Sequence, residues 1–316
     1  MIYLSAQPDD KRFIWEIQVQ HTNFELNGVD LSKVYALFGY KGTPSSDLLT
    51  LKNQLKSNII LIEDTRGSVS YQPTIRPHII KKFIQSNSHV EDEKMFYHDS
   101  DICFTYKGLP NFENMNQSDF WFVSDTRSYL NYDYVILKGT DVLLDICEIT
   151  GVSPLVVRRN KQFTGGCQYF LYGTNYHFWN EVEKISEEIF KLKNKNEFYK
   201  SQWAICSNQP RENYHEFQYW VADMIALQYL AWKHGHDTRL HQDLDFSWAC
   251  GLNDFDKYKI YHNAGITSEM KNVFFKDAFR NDFPYNYDIN TIDKNSNTKF
   301  YVQEILKTGK KLGYDN

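Results

Sequence analysis

The sequence predicts an α/β fold with a mostly parallel central sheet flanked by helices. Strand-like and helix-like segments alternate through the first hundred residues, as they do when crossover helices join parallel strands. Residues 58–63 (NIILIE) form a short apolar run that is typical of a buried parallel strand. Residues 175–192 carry apolar side chains at helical spacing, at Phe178, Val182, Ile185 and Ile189.

The same patterns assign elements along the rest of the chain. Residues 12–24 alternate apolar and polar side chains, which predicts a strand, and Pro77 predicts the start of a helix after the loop 71–77. Strands are predicted at 12–24, 33–41 (a strand or the edge between a strand and a helix), 58–63, 94–98, 119–124, 166–172 and 259–261. Helices are predicted at 45–56, 78–86, 141–150, 175–192, 213–234 and 299–308.

The length of 316 residues fits one large α/β domain or two tightly packed halves. We expect a single catalytic domain over residues 1–284, divided at about residue 125 into two halves. The polar tail, residues 285–316, is expected to be a C-terminal extension.

Charge and cysteine content limit the possible classes of protein. The net charge of −5 is not the basic balance of a protein that holds DNA by charge alone, although a local basic groove could suffice. Five widely spaced cysteines without a CxxC pair argue for a reducing compartment and against structural zinc. The sequence shows no apolar signal core and no long apolar span, so a cytoplasmic protein without a membrane partner is expected. The sequence leaves the oligomeric state open.

Two acidic residues, in Asp99-Ser100-Asp101, follow the predicted strand 94–98. Two carboxylates separated by one residue can reach the same hard cation, and Mg²⁺ or Mn²⁺ prefers oxygen ligands and often bridges phosphate oxygens. Most isolated DxD patterns are solvated loop acids. The position after a buried strand favours a cation site, because ligands bind beyond the carboxyl ends of parallel strands.

A late histidine, in His262-Asn263-Ala264-Gly265, follows another short predicted strand. A neutral imidazole can be a third ligand of Mn²⁺, and Gly265 allows a ligand to approach the backbone closely. A lone histidine is more often structural, but a DxD, a late His-x-x-Gly and Lys276 form a more specific combination. The cation and Lys276 would together neutralise a departing diphosphate.

Further candidates lie in the middle of the chain. Gly165 and Gly166 could pass close to a sugar or phosphate, or form an ordinary turn, and Gln168 could offer its amide to sugar hydroxyls. Asp223 lies among Trp, Ala, Met and Leu side chains, and a buried acid must be paired or functional. Arg76 and Arg127 could bind phosphate, or pair with acids at the surface.

Together these motifs resemble one family. From about residue 15 to about residue 280, the chain is similar to the plant hydroxyproline O-arabinosyltransferase and peptidyl-serine O-galactosyltransferase group and its relatives in phages and bacteria. The DxD, late His-x-x-Gly and Lys are more distantly similar to glycogenin-like retaining transferases. The motifs that carry the resemblance are Tyr71-Gln72-Pro73 with Arg76-Pro77 (where the plant proteins have Lys-Pro), Asp99-Ser100-Asp101, Gly165-Gly166-Cys167-Gln168, Trp220 through Asp223-Met224, and His262-Asn263-Ala264-Gly265.

Both resemblances imply a GT-A fold, with a nucleotide-sugar half at about 1–125 and an acceptor half at about 126–284. They imply a UDP-sugar donor and a Mn²⁺ ion, or Mg²⁺, held by Asp99, Asp101 and His262. Candidate catalytic residues are Asp223, as the acid beside the sugar, Gln168 and Lys276. Candidate contacts to the nucleotide sugar are Arg76, Ser100, Arg127, Gly165, Gly166, Gly265 and Lys276.

The expected reaction transfers a sugar, with arabinose or glucose favoured, through an oxocarbenium-like state. The resemblance favours retention of the anomeric configuration. The nucleotide is expected to lie near Gln18 to Phe24, and Asp223 either stabilises the cationic sugar or orients the acceptor hydroxyl.

The acceptor is inferred from the resemblance to phage proteins. The lack of a membrane anchor and the Tyr-, Asn- and Lys-rich composition favour 5-hydroxymethylcytosine in phage DNA, or a sugar already on it, over a secreted peptide. Such a base must be flipped out of the duplex. Candidate DNA contacts, each of which can equally be a solvated side chain, are Arg158, Arg159, Lys161, Lys191, Lys193, Lys195 and Lys200.

Two alternatives remain. One is a bacterial polysaccharide or protein O-glycosyltransferase. The other is a non-catalytic module that binds carbohydrate or nucleic acid, which would not need a DxD, a late histidine and a lysine together.

Overall fold

A computed structural model describes residues 1–314. The strands are β1 (Ile2–Pro8), β2 (Val34–Tyr40), β3 (Asn58–Glu63), β4 (Met95–Tyr97), β5 (Ile102–Phe104), β6 (Trp121–Asp125), β7 (Gly165–Leu171), β8 (Thr238–Leu240), β9 (Phe246–Trp248) and β10 (Ile260–His262). The helices are α1 (Lys11–Leu26), α2 (Ser46–Gln54), α3 (Ile75–Ser86), α4 (Phe112–Asn116), α5 (Arg127–Leu130), α6 (Tyr132–Lys138), α7 (Thr140–Thr150), α8 (Pro154–Arg159), α9 (Tyr176–Lys191), α10 (Asn196–Ser207), α11 (Ala222–Lys233) and α12 (Thr298–Lys311).

The chain divides into two compact units, each built from separate segments. The first unit comprises Met1–Asp64, Lys94–Gln117 and the described chain from Gln242 onward. The second unit comprises Thr65–Glu93 and Ser118–His241.

The first unit is an α/β layer. Its strands lie in the order β3-β2-β1-β4, and all of the pairings between them are parallel. A second sheet has the order β5-β10-β9, in which β10 is antiparallel to β5 and parallel to β9. Parallel strands need crossover connections, which α1 and α2 provide.

The second unit also mixes strands and helices. Its strands lie in the order β7-β6-β8, with β6 antiparallel to β7 and parallel to β8. Helices α3 and α11 both pack on α9, whose apolar face was predicted from its periodicity. The predicted α/β class, with a mostly parallel central sheet flanked by helices, is confirmed.

One early prediction was wrong. Residues 12–24 form most of helix α1, not a strand, and the strand that comes first is β1. Every side chain from Ile14 to Phe24 is buried, including polar ones such as Glu16 and Gln18. A helix that is buried all round has no polar face, so its sequence lacks the helical periodicity on which the assignment relied.

Smaller differences concern helix boundaries. Helix α3 begins at Ile75, so Pro77 lies inside its first turn, where the backbone N–H groups have no partner within the helix in any case. The helix predicted at 213–234 begins only at Ala222, after a 3₁₀ turn at Tyr219–Val221.

Residues 285–314, which we predicted to be a C-terminal extension, contribute to the core of the first unit. Helix α12 packs on α1. The buried cluster around them contains Trp15, Val19, Cys103, Ala249, Tyr261, Phe274, Tyr285, Ile292, Phe300, Tyr301, Val302 and Ile305. Across residues 1–314, the helices are all too short or too polar to cross a bilayer.

Candidate metal and diphosphate site

The two acidic residues and the late histidine meet in the first unit because of its strand pairing. Asp99 and Asp101 occupy the connection between β4 and β5. Strand β10 lies antiparallel to β5, with His262 opposite Ile102, and Asn263 N donates to Asp101 O at 3.0 Å. This register brings together side chains that are far apart in the sequence.

The three side chains form a group that could hold a metal ion. His262 Nε2 lies 3.4 Å from Asp99 Oδ2 and 3.2 Å from Asp101 Oδ1. One candidate ligand atom from each residue lies within 4.8 Å of the other two. Asp101 and His262 are buried, whereas Asp99 is partly exposed. Two carboxylates and an imidazole are ligands for a divalent cation, so these residues could hold one.

Lys276 completes the charge balance of this group. Its Nζ contacts Asp101 Oδ2, the oxygen that does not face His262. Burial acts to raise the pKa of Asp101, but Lys276 and His262 outweigh it and hold that pKa below its usual range. Burial acts to lower the pKa of Lys276, and Asp101 and Glu16 raise it above its usual value. Both side chains are therefore charged at neutral pH.

A buried carboxylate from α1 supports the connection between the two aspartates. Ser100 Oγ donates to Glu16 Oε2 at 2.6 Å, and Arg12 Nε lies 3.7 Å from Glu16 Oε1. Arg12 also pairs with Asp277, the neighbour of Lys276. Burial raises the pKa of Glu16 to about 7, although Lys276 and Arg12 act to lower it.

Sequence reasoning missed Arg12 and Glu16, because it assigned their segment to a strand. An acid among the apolar residues of FIWEI was the signal that could have identified Glu16. Ser100, a predicted contact to the nucleotide sugar, directs its hydroxyl to Glu16.

Polar side chains also fix the backbone at Asp99. Gln20 Nε2 donates to Asp99 O at 2.9 Å, and His98 Nδ1 lies 2.9 Å from the same oxygen. Burial lowers the pKa of His98 to about 4, so its ring is neutral at pH 7.

Gly265 has a φ of +86°, which favours glycine. A β-carbon there would also come within 3.0 Å of Cys250 Sγ and 3.2 Å of the Trp248 ring.

The glycines and glutamine in the middle of the chain belong to the packing of the second unit. A β-carbon at Gly165 would overlap Ser124 O, and one at Gly166 would lie 2.6 Å from Met224 Cε. Gln168 is fully buried, and its Oε1 accepts from Ser124 Oγ at 3.0 Å. Close packing therefore accounts for both glycines.

Asp223 lies in the first turn of α11, in the second unit. Tyr71 Oη donates to Asp223 Oδ1 at 2.7 Å, and Arg76 Nη1 lies 3.6 Å from Asp223 Oδ2. Arg127 pairs with Asp125, through its Nε at 2.9 Å and its Nη2 at 2.6 Å. Both predicted phosphate-binding arginines thus contact acids in this structure.

No protein-family model matches the sequence, and no curated protein is significantly similar to it. Solved structures with a similar chain trace include the galactosyltransferase LgtC in complex with donor and acceptor sugar analogues, at 10% identity and a TM-score of 0.44, covering 100% of this chain and 98% of that one. The bifunctional glycosyltransferase WbbM is 11% identical, with a TM-score of 0.42, and the match covers 97% of this chain and 51% of WbbM. Mouse xyloside xylosyltransferase 1 is 10% identical, with a TM-score of 0.37, and the match covers 83% of this chain and 96% of the mouse chain.

Proposed function

We propose that this chain is a metal-dependent glycosyltransferase that moves a sugar from a nucleoside diphosphate sugar to a hydroxyl group. The observation that carries the proposal is the group of Asp99, Asp101 and His262 beside the charged Lys276. Candidate ligands for one cation next to a fixed ammonium group suit a diphosphate, whose charge both can neutralise. The proposed donor is a UDP-sugar, and the proposed ion is Mn²⁺ or Mg²⁺.

Each residue of the first unit has a defined part in this proposal. Asp99, Asp101 and His262 would hold the cation, which when bound supplies a Lewis acid for the diphosphate. Lys276 would stabilise the charge that develops on the leaving group. Glu16 would keep the connection between the two aspartates in place through its bond with Ser100.

The nucleotide position proposed here differs from the one expected from the sequence. Gln18 to Phe24 lie in the buried helix α1, and Gln18 bonds to Gln54 and Tyr285. We place the base instead near Gln7, at the carboxyl end of β1, where ligands of parallel sheets bind. Gln7 is buried, and neither of its amide atoms has a hydrogen-bond partner among the described residues. An amide can both donate to and accept from the edge of a uracil.

Asp223 is proposed to act on the sugar, either by stabilising an oxocarbenium-like state or by orienting the acceptor hydroxyl. Its hydrogen bond from Tyr71 and its proximity to Arg76 support a carboxylate that is held in a fixed position. Retention of the anomeric configuration, with arabinose or glucose as the donor sugar, is part of the proposal.

A hydroxymethylated cytosine in DNA is one acceptor that has the required hydroxyl. Several of the basic residues expected to contact DNA form ion pairs within the second unit: Lys161 with Asp133, Lys191 with Glu188, and Lys195 with Asp145. A DNA strand would have to compete with these acids. A neutral glycan or a protein hydroxyl could act as the acceptor without breaking these ion pairs.

The proposal is tested by measuring UDP binding and UDP release. We expect UDP to raise the melting temperature only in the presence of Mn²⁺, because both ligands bind the folded state. Asp99→Asn should abolish this shift and reduce UDP release from UDP-sugars roughly 100-fold. Asp99 is preferred over Asp101 for this test, because Asp101 neutralises the buried Lys276.

The control is Asp282→Asn, which changes an exposed acid of the same unit. It should behave as the unmodified protein does. Undiminished UDP release by Asp99→Asn would contradict the metal role. Salt-dependent DNA binding without any effect of UDP would favour a non-catalytic binding module.

A further inference from the structure

An indole ring on the second unit is largely exposed but held in a defined position. The Trp220 side chain is 55% exposed. Its backbone oxygen accepts from Tyr71 Oη at 2.5 Å, and its ring centroid lies 5.8 Å from that of Tyr129, with the planes tilted by 32°. The exposed part of this indole is therefore accessible to a ligand.

A polar edge lies next to the indole. Asp223 follows Trp220 by three residues, a spacing that puts the two side chains on the same side of a helical turn. The single proton of the Tyr71 hydroxyl is shared between Trp220 O at 2.5 Å and Asp223 Oδ1 at 2.7 Å. Arg76 Nη1 lies 3.6 Å from the other carboxylate oxygen. An aromatic face therefore adjoins a carboxylate and a guanidinium.

The segment that carries Tyr71, which contacts both Trp220 and Asp223, is itself fixed by hydrogen bonds and ring stacking. The backbone N–H groups of Ser70 and Tyr71 donate to Glu187 at 2.7 and 2.9 Å, and the Tyr71 ring stacks on Phe190 at 4.8 Å. Burial, with the charge of Asp223, raises the pKa of Tyr71 well above its usual value, so its hydroxyl remains a donor. A preorganised group of this kind loses little conformational entropy when a ligand binds.

We propose that Trp220 and Tyr129 form a stacking platform for a sugar ring, and that Asp223 and Arg76 bind the hydroxyls of that sugar. A sugar ring has a face of C–H groups and a rim of hydroxyls, which matches an aromatic face bordered by charged hydrogen-bonding groups. Resting on the proposed function, this inference identifies the acceptor as a saccharide. The reaction would then extend an existing glycan, which another glycosyltransferase must have begun.

The charges around the platform favour a saccharide over a nucleic acid strand. A flipped base could also stack on the indole, but its phosphates would need cationic partners. Arg76 faces Asp223, and Arg127, close to Tyr129 in the sequence, pairs with Asp125. A neutral sugar needs no uncompensated positive charge.

The test measures binding of methyl glycosides of glucose, galactose, xylose and arabinose to the full chain by saturation-transfer NMR and calorimetry. We expect at least one glycoside to bind, and Trp220→Ala to weaken it at least about 10-fold, as for other aromatic stacking contacts. Trp220→Phe, which keeps a ring, should retain most of the affinity. The control is Phe198→Ala, which removes another ring of the second unit that is 50% exposed, and it should bind as the unmodified chain does.

Two outcomes would overturn the platform. One is the absence of glycoside binding, whether or not a hydroxymethylcytosine oligonucleotide binds, and the other is equal weakening by Trp220→Ala and Phe198→Ala. The Mn²⁺-dependent UDP shift of the unmodified chain is measured in parallel. Its absence would contradict the proposed glycosyltransferase activity, whereas its presence without glycoside binding would contradict the platform alone.

Discussion

At the residue scale, buried charges in the first unit neutralise one another around the candidate cation site. Asp101 is paired with Lys276 on one oxygen and faces His262 with the other. Glu16 is a further buried acid, which accepts a hydrogen bond from Ser100. Burial raises the pKa of Glu16 to about 7. Isolated charges in this interior would be costly, so each of these side chains depends on the others.

The Glu16→Gln variant tests this balance. The pKa of Glu16 rises from 4.5 to about 7 on folding, mainly because of burial, so the folded state binds the proton more tightly. The contribution of this group to stability is present below pH 4.5 and is lost as the pH rises to about 7. Glutamine does not titrate, and its carbonyl can still accept from Ser100.

The stability of Glu16→Gln relative to the unmodified protein should therefore increase between pH 5 and pH 8, as measured by urea denaturation. Glu188→Gln, which removes an exposed acid, serves as the control and should show no such change. A constant difference between Glu16→Gln and the unmodified protein would contradict the raised pKa.

At the scale of single elements, α1 combines structural and functional roles in one buried helix. Asp10 caps it by accepting from Arg12 N. Its polar side chains support the candidate site, since Glu16 bonds to Ser100 and Gln20 to Asp99 O. The helix therefore depends on tertiary partners for most of its polar groups.

His21 is the exception in α1, because neither ring nitrogen has a hydrogen-bond partner among the described residues. Burial, with Lys311 and Lys56, lowers its pKa from 6.5 to about 4. The unfolded state thus binds the proton more tightly, and stability should be lost as the pH falls from 6.5 towards 4. This loss has an upper limit of about 3 kcal/mol.

His21→Leu should remove that loss and fill the same space with an apolar side chain. The free energy of unfolding, measured between pH 7 and pH 4.5, should fall less steeply in the variant. His89→Leu, at an exposed position, should leave the slope unchanged. An identical slope in His21→Leu and the unmodified protein would show that His21 is not held neutral.

At the scale of the whole molecule, helix α12 belongs to the core of the first unit. Tyr301, in α12, is fully buried. Its ring stacks on Tyr261 at 5.7 Å and also lies near Trp15 and Phe274. Strand β10, which carries His262, therefore packs on side chains of α12.

Tyr301→Ala should reduce the free energy of unfolding by about 3–5 kcal/mol, the usual cost of removing a large buried ring. Tyr301→Phe is the matched control, because the Tyr301 hydroxyl has no hydrogen-bond partner within residues 1–314. Removing that hydroxyl should leave stability unchanged or increase it. Equal losses in the two variants, measured by chemical denaturation, would contradict this account of the core.

The amino-acid sequence determined the features that depend on neighbouring residues. The apolar run before Asp99 predicted the strand β4, and the periodicity of 175–192 predicted α9. The types of side chain at Asp99, Asp101, His262 and Lys276 predicted chemistry that suits a cation and a diphosphate. These properties are local, so they can be read from order and spacing along the chain.

Only the tertiary structure decided what depends on distant residues. The antiparallel pairing of β5 with β10 brings His262 to Asp101, and the packing of α1 brings in Glu16. The structure also shows that Gly165 packs so closely on Ser124 O that a β-carbon has no space there. Burial removes the polar face by which a helix is recognised, and strand pairing depends on contacts across the chain. Neither property is encoded in a short segment.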